Sequence, residues 1–181
     1  MIRTWGFQTL NGNAQPLFGD KITAAFNALK APNGLYVLTV ANAALYVIGD
    51  RIILGVASGS TTNCLLVENL DTTNNLLYCA SEGDAPVSAW ASNTQLMLDI
   101  ACYGLVIQLA SATTNPVYLG ADSTVTKTGT GSAFYELLNI ASMPPASFSL
   151  FKYDGQNPLR SSEIWFAGTS ADKLTAAAFI N

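Results

Sequence analysis

Histidine is missing from this sequence altogether, and charge of either sign is scarce: 8 Lys and Arg and 12 Asp and Glu make up 11% of 181 residues, against about 25% in an average soluble chain. Without imidazole, Ser-His and Cys-His nucleophile pairs are excluded, and so is the commonest metal ligand. Clustered basic residues are lacking too. Arg3, Lys21, Lys30, Arg51, Lys127, Lys152, Arg160 and Lys173 are scattered, and the net charge is −4, so no phosphate-binding patch and no nucleic-acid partner is expected. No run of about 20 apolar residues is present to cross a membrane as a helix. The start, Met-Ile-Arg-Thr-Trp-Gly-Phe-Gln, has no apolar stretch followed by a small-residue cleavage site, so a protein made and kept in a cytosol is expected. Cys64, Cys79 and Cys102 are odd in number and lack Cys-x-x-Cys spacing, which predicts small buried hydrophobes rather than a zinc site or a disulfide framework.

What is abundant is apolar: 50% of the residues are hydrophobic, in short runs rich in Val, Ile, Leu, Tyr and Phe and separated by Gly, Asn, Asp and Thr clusters, the pattern of strands and turns. The runs fall at 35–40, 50–55, 64–70, 76–80, 95–100, 103–109, 117–119, 134–140, 147–153, 163–167 and 174–179. Ile22, Ala25, Phe26 and Leu29 repeat at helical spacing ahead of Ala31-Pro32-Asn33-Gly34, which predicts one helix from Asp20 to Lys30. The expected fold is mainly β: an N-terminal arm with a short helix (1–32), a small β-barrel-like domain (33–100) and a C-terminal antiparallel β-sandwich or jelly roll (101–181).

Tests for chemistry select nothing. No catalytic, cofactor-binding or metal-ligating residue emerges, and no enzyme is expected. A serine-lysine dyad is not expected, because the lysines sit mostly in turns. Glu82 and Asp84, the closest carboxylate pair, read as a solvated turn. Gly129-Thr130-Gly131 lacks the lysine of a phosphate-binding loop and reads as a hairpin turn. Asp50-Arg51 reads as a turn entering a strand, with the charges facing solvent. Trp90, near Ser88, Ser92 and Asn93, is the one aromatic with polar neighbours suited to stacking a sugar. Trp5, Phe7, Leu17 and Phe18 lie in the aperiodic arm, and such an apolar arm docks either on its own domain or on a neighbour's. These four are the candidate protein-contact residues.

Two passages resemble a known class. Residues 37–55, Val-Leu-Thr-Val-Ala-Asn-Ala-Ala-Leu-Tyr-Val-Ile-Gly-Asp-Arg-Ile-Ile-Leu-Gly, are similar to the strand, small-residue turn, aromatic, Gly-Asp-Arg, apolar strand unit of small β-domains in tailed-phage virion proteins. In that resemblance Gly49 and Asp50 make the turn and 64–80 is the following hairpin. Residues 115–126, Asn-Pro-Val-Tyr-Leu-Gly-Ala-Asp-Ser-Thr-Val-Thr, paired with 163–174, Glu-Ile-Trp-Phe-Ala-Gly-Thr-Ser-Ala-Asp-Lys-Leu, resemble the frame of C-terminal β-sandwiches in phage head and accessory proteins. Related small domains often carry a His-x-x-Gly turn where this chain has Ala85-Pro-Val-Ser-Ala-Trp90. The resemblance implies a capsid decoration or cement protein, located in the virion after assembly in the host cytoplasm. Its implied partners are the major capsid protein, other virion subunits and copies of itself. A neck, tail or fibre-base subunit is the alternative within the virion, and a carbohydrate-binding β-module the alternative outside it.

Overall fold

The structure, a computed structural model, describes residues 1–55, 63–82, 87–140, 143–151 and 157–180, the side chains of 5–7 and 63 excepted. Among the described residues strands make up 48% and helical turns 4%, so the protein is mainly β. In chain order the strands are β1 (Ile2–Thr9), β2 (Gln15–Pro16), β3 (Gly19–Lys21), β4 (Tyr36–Thr39), β5 (Arg51–Leu54), β6 (Asn63–Asp71), β7 (Leu76–Ser81), β8 (Gln95–Leu98), β9 (Ala101–Cys102), β10 (Gly104–Leu109), β11 (Val117–Gly120), β12 (Ala133–Leu137), β13 (Ser147–Phe151), β14 (Leu159–Arg160), β15 (Trp165–Gly168) and β16 (Lys173–Phe179). The pairings among them are antiparallel. The chain divides into two compact units, one of Gly19–Asp99 and one of Met1–Phe18 with Ile100–Asn181.

The Gly19–Asp99 unit is built on a six-stranded sheet in the order β3-β8-β5-β6-β7-β4. Its strands place Ile52, Leu54, Leu65, Val67, Leu77, Cys79, Leu96 and Leu98 in the core, in most strands by the period-two alternation of the pleat. Beyond β3 the chain runs on to β4: Ile22 bridges Val40, and the Thr23 N–H donates to the Thr39 carbonyl at 2.8 Å. The turn into β5 is set by its own residues, Gly49 taking φ +92° and the Asp50 carboxylate accepting the Val47 N–H at 2.8 Å. Asp50 is therefore buried, not solvent-facing. In the β6–β7 hairpin, Asp71 Oδ1 accepts the N–H groups of Thr73 and Asn74.

The helix expected from Asp20 to Lys30 does not form. Asp20 and Lys21 belong to β3, and Ile22, Phe26 and Lys30 make isolated bridges to Val40, Trp90 and Tyr36. Of the four residues that suggested a helical face, Ile22 and Phe26 are buried while Ala25 and Leu29 are exposed. A lone helix of about 11 residues is marginal in water, and here tertiary pairing wins.

The other unit holds two four-stranded sheets, β1-β16-β10-β13 and β12-β11-β15-β2, with β9 and β14 forming a small pair. In the first sheet, Leu105, Ile107 and Leu109 of β10 and Leu174, Ala176 and Ala178 of β16 are buried, defining an inner face. In the second, every residue of β15 is buried. The N-terminal segment is part of this unit, since β1 pairs with β16 from Ile2↔Phe179 to Thr9↔Lys173. Ser161 ties β14 to β9, its Oγ accepting the Ile100 N–H at 2.7 Å.

Candidate assembly surface

The exposed large hydrophobic residues are unevenly placed. Of the eleven among the described residues, six (Phe134, Tyr135, Leu138, Ile140, Met143 and Phe151) fall within 134–151, the stretch spanning β12, its connection and β13. Scattered exposed apolar residues need no explanation, whereas a contiguous apolar patch is a candidate contact surface.

Local geometry explains the grouping. β12 and β13 are edge strands of the two four-stranded sheets. The register of β12 against β11 shifts between Leu119↔Tyr135 and Gly120↔Ala133, so Phe134 is the extra residue of a β-bulge. A bulge re-aims side chains, and here consecutive aromatics reach the same neighbour: the Phe148 ring lies 6.2 Å from Phe134 and 4.8 Å from Tyr135. Phe148 stands opposite Ile107 on the inner face. On the outer face, Phe151 and Phe179 lie 5.6 Å apart over Gly104.

Near this stretch, a cleft of about 340 Å³ is lined by Ser111, Thr113, Thr114, Asn139, Ile140, Met143 and Pro145. Two of its polar side chains are already engaged. Asn139 Nδ2 donates to the Ala110 and Thr113 carbonyls at 2.8 and 2.9 Å, its Oδ1 accepts the Ala146 N–H at 2.8 Å, and Thr113 Oγ1 donates to the Lys173 carbonyl at 2.9 Å. These bonds knit the loops together and leave the cleft's apolar wall, Ile140 and Met143, facing out.

The residues singled out from sequence fall as follows. Leu17 and Phe18 are fully buried, 0% and 1% exposed, which corrects their reading as contact residues: they are core. The side chains of Trp5 and Phe7 lie outside the described residues, though their backbone is in β1. Glu82 pairs with Arg51, and Asp84 lies outside the described residues. Arg51 also pairs with Asp99, whose side chain is 0% exposed, and donates from Nη2 to Cys64 Sγ at 3.0 Å, so it is tied into its own unit and not into solvent. Trp90 packs the six-membered end of its indole over Gly55, whose added Cβ would lie 2.0 Å from it; packing uses this ring.

Burial also decides the thiol chemistry. It pushes the Cys79 thiol up to about 12, with a further push from Glu68, and the Cys102 thiol up to about 11. Both stay protonated at neutral pH and are poor nucleophiles. Two Ser-x-x-Lys tetrads, 149–152 and 170–173, escaped the sequence reading. That spacing aligns serine and lysine on a helix, but Ser149 is in a strand, β13, and Lys152 lies outside the described residues. The second tetrad is a turn into β16, with Ala171 at φ +77°.

Among the described residues no three His, Cys, Asp or Glu side chains gather to hold a metal. No helix there is long and apolar enough to cross a membrane. Comparison with known protein families, curated proteins and solved structures found no match to this chain.

Proposed function

We propose that this chain is a structural subunit of a tailed-phage virion, a capsid decoration or cement protein that holds to major capsid subunits and to its own copies by apolar burial. The observation carrying the proposal is the concentration of six exposed large hydrophobics within 134–151, in a chain whose surface has so few charges. Charged groups are depleted where interfaces are driest, and repetition over a shell turns a modest contact into a stable coat. The fold reading agrees: the bridge from Ile22 to Val40 supports a closed, barrel-like Gly19–Asp99 unit, and the two four-stranded sheets support a sandwich in the other. The N-terminal strand, paired in its own unit, leaves the contact role to β12 and β13.

Quantitative protein stoichiometry of purified particles tests this. Copies scaling with the capsid shell are expected. About a dozen copies or fewer would move the chain to the neck, tail or fibre base, and none in the particle would end the virion reading. A glycan array comparing wild type with Trp90→Ala addresses the carbohydrate alternative, for which a specific signal lost in the variant is the deciding result.

A further inference from the structure

Exposed strand edges are templates for pairing with another chain, and natural edges carry devices that prevent it: short length, charge, proline, a bulge, or cover. Among the described residues, one edge strand carries no charge, proline or bulge, is longer than three residues and has no bridging segment beside it. β1 carries Arg3 and a register shift between Trp5 and Gln8. β12 carries Glu136 and the bulge at Phe134. β2 is two residues long and includes Pro16; β9 and β14 are also two residues each. In the other unit β3 is three residues with Asp20 and Lys21, and β4 is flanked by the bridges from Ile22 and Lys30. β13 is five residues, Ser147-Phe148-Ser149-Leu150-Phe151, with no charge, proline or glycine, and its five pairs with β10 run in unbroken register.

The direction of its free backbone groups follows from the ladder. The Leu109 N–H donates to the Ala146 carbonyl at 2.9 Å, which makes Gln108↔Ser147 a wide, non-hydrogen-bonded pair in the antiparallel pattern. Phe148 and Leu150 therefore spend their N–H and C=O groups on β10, and those of Ser147, Ser149 and Phe151 point away from it. We infer that β13 is a self-association edge: two copies of this chain pair β13 to β13, antiparallel, about a two-fold axis at Ser149.

The sequence of the strand fits that partner on both faces. With Ser149 opposite Ser149, Ser147 meets Phe151 and Phe148 meets Leu150. The three residues with outward backbone groups meet one another, so the new pairs are hydrogen-bonded ones. The inner-face residues Phe148 and Leu150, opposite Ile107 and Leu105 in their own copy, meet each other as an apolar cross-strand pair. No charge is brought against a like charge on the strand. Phe151, the exposed large hydrophobic on the strand itself, is 54% exposed and faces Ser147 of the second copy. Because the sheet's other edge is protected, the contact closes as a dimer and does not propagate into a fibre. This inference rests on the assembly reading above and names one of its surfaces.

The test uses the full chain in solution, by analytical ultracentrifugation across a concentration series, with Ser149→Lys and Ser149→Glu. Wild type is expected to run as a dimer. Each variant alone sets like charges face to face and is expected to run as a monomer, with far-UV circular dichroism and melting temperature unchanged to show that it folds. An equimolar mixture of the two restores the dimer, because Lys then faces Glu across the axis. A wild-type monomer throughout, an oligomer indifferent to both variants, or a mixture that stays monomeric overturns the inference. Any of these leaves particle stoichiometry free to support the virion reading through another surface, and a dimer absent from particles refutes that reading alone.

Discussion

β1 and β13 are the two edges of one sheet, yet they are built to opposite ends. β1 is eight residues long and pairs with β16, but is interrupted by a bulge and carries Arg3. β13 is shorter, regular and uncharged, and has exposed apolar residues around it. Edge strands of one sheet share backbone chemistry, so what separates them is what the side chains permit to approach. The contrast depends first on the strands between them. β10 pairs with both β13 and β16, and Ile107 at its centre is 0% exposed. Ile107→Ala is expected to cost about 2–5 kcal/mol by urea denaturation and to weaken both edges together. If dimerisation survived while β1 loosened, the two edges would be independent and the comparison would lose its basis.

The next largest effect concerns β12, an edge strand of the second four-stranded sheet, at the turn that precedes it. Gly131 sits at φ +77°, and an added Cβ would lie 1.9 Å from the Thr124 carbonyl oxygen. A left-handed conformation and a backbone clash act together, so Gly131→Ala is expected to lose about 2 kcal/mol or more. Gly104→Ala makes the same chemical change with a smaller result. Its new Cβ would meet Phe151 Cδ1 at 2.4 Å, but that residue is 54% exposed and its ring is free to swing outward. The intrinsic gain of replacing glycine in a strand, about 0.5–1 kcal/mol, offsets much of the displacement, and thermal melting should show a net change within about 1 kcal/mol. A large loss would mean that Phe151 is pinned in the monomer and the outer edge less open than drawn.

Most of the strands were legible in the sequence and the decisive contrast was not. The eleven apolar runs coincide with β4–β8, β10–β13, β15 and β16, because each carries its own Val, Ile, Leu or aromatic pattern bounded by turn residues. β1, β2, β3, β9 and β14 escaped: four are three residues or fewer, and β1, Ile-Arg-Thr-Trp-Gly-Phe-Gln-Thr, has glycine and a bulge that break its alternation. The false helix arose because Ile22 and Phe26, four apart, are buried by separate partners. Leu17 and Phe18 looked like an adhesive arm because hydrophobicity alone does not say whose core it fills. Phe134, Tyr135 and Phe151 looked like ordinary strand residues, and that their strands are edges is a property of topology, which no local pattern carries.

The smallest change in stability gives the sharpest comparison. Ser149→Cys and Thr4→Cys each replace an exposed residue on an edge strand of the same sheet, and each is expected to alter stability by no more than about 0.5 kcal/mol. Their oxidation should differ completely. In a β13 pair centred on residue 149, the two Cα atoms stand about 5.5 Å apart, as in any hydrogen-bonded antiparallel pair, which is within the roughly 4.4–6.8 Å that a disulfide bridges. Cys79 and Cys102 are buried and held protonated, so native thiols add little background beyond Cys64. Non-reducing gels after mild oxidation should therefore show covalent dimers from Ser149→Cys and almost none from Thr4→Cys. Equal crosslinking at both positions would mean that chance collision, or a different face, joins the copies, and that charge and a bulge on β1 do not distinguish it from β13.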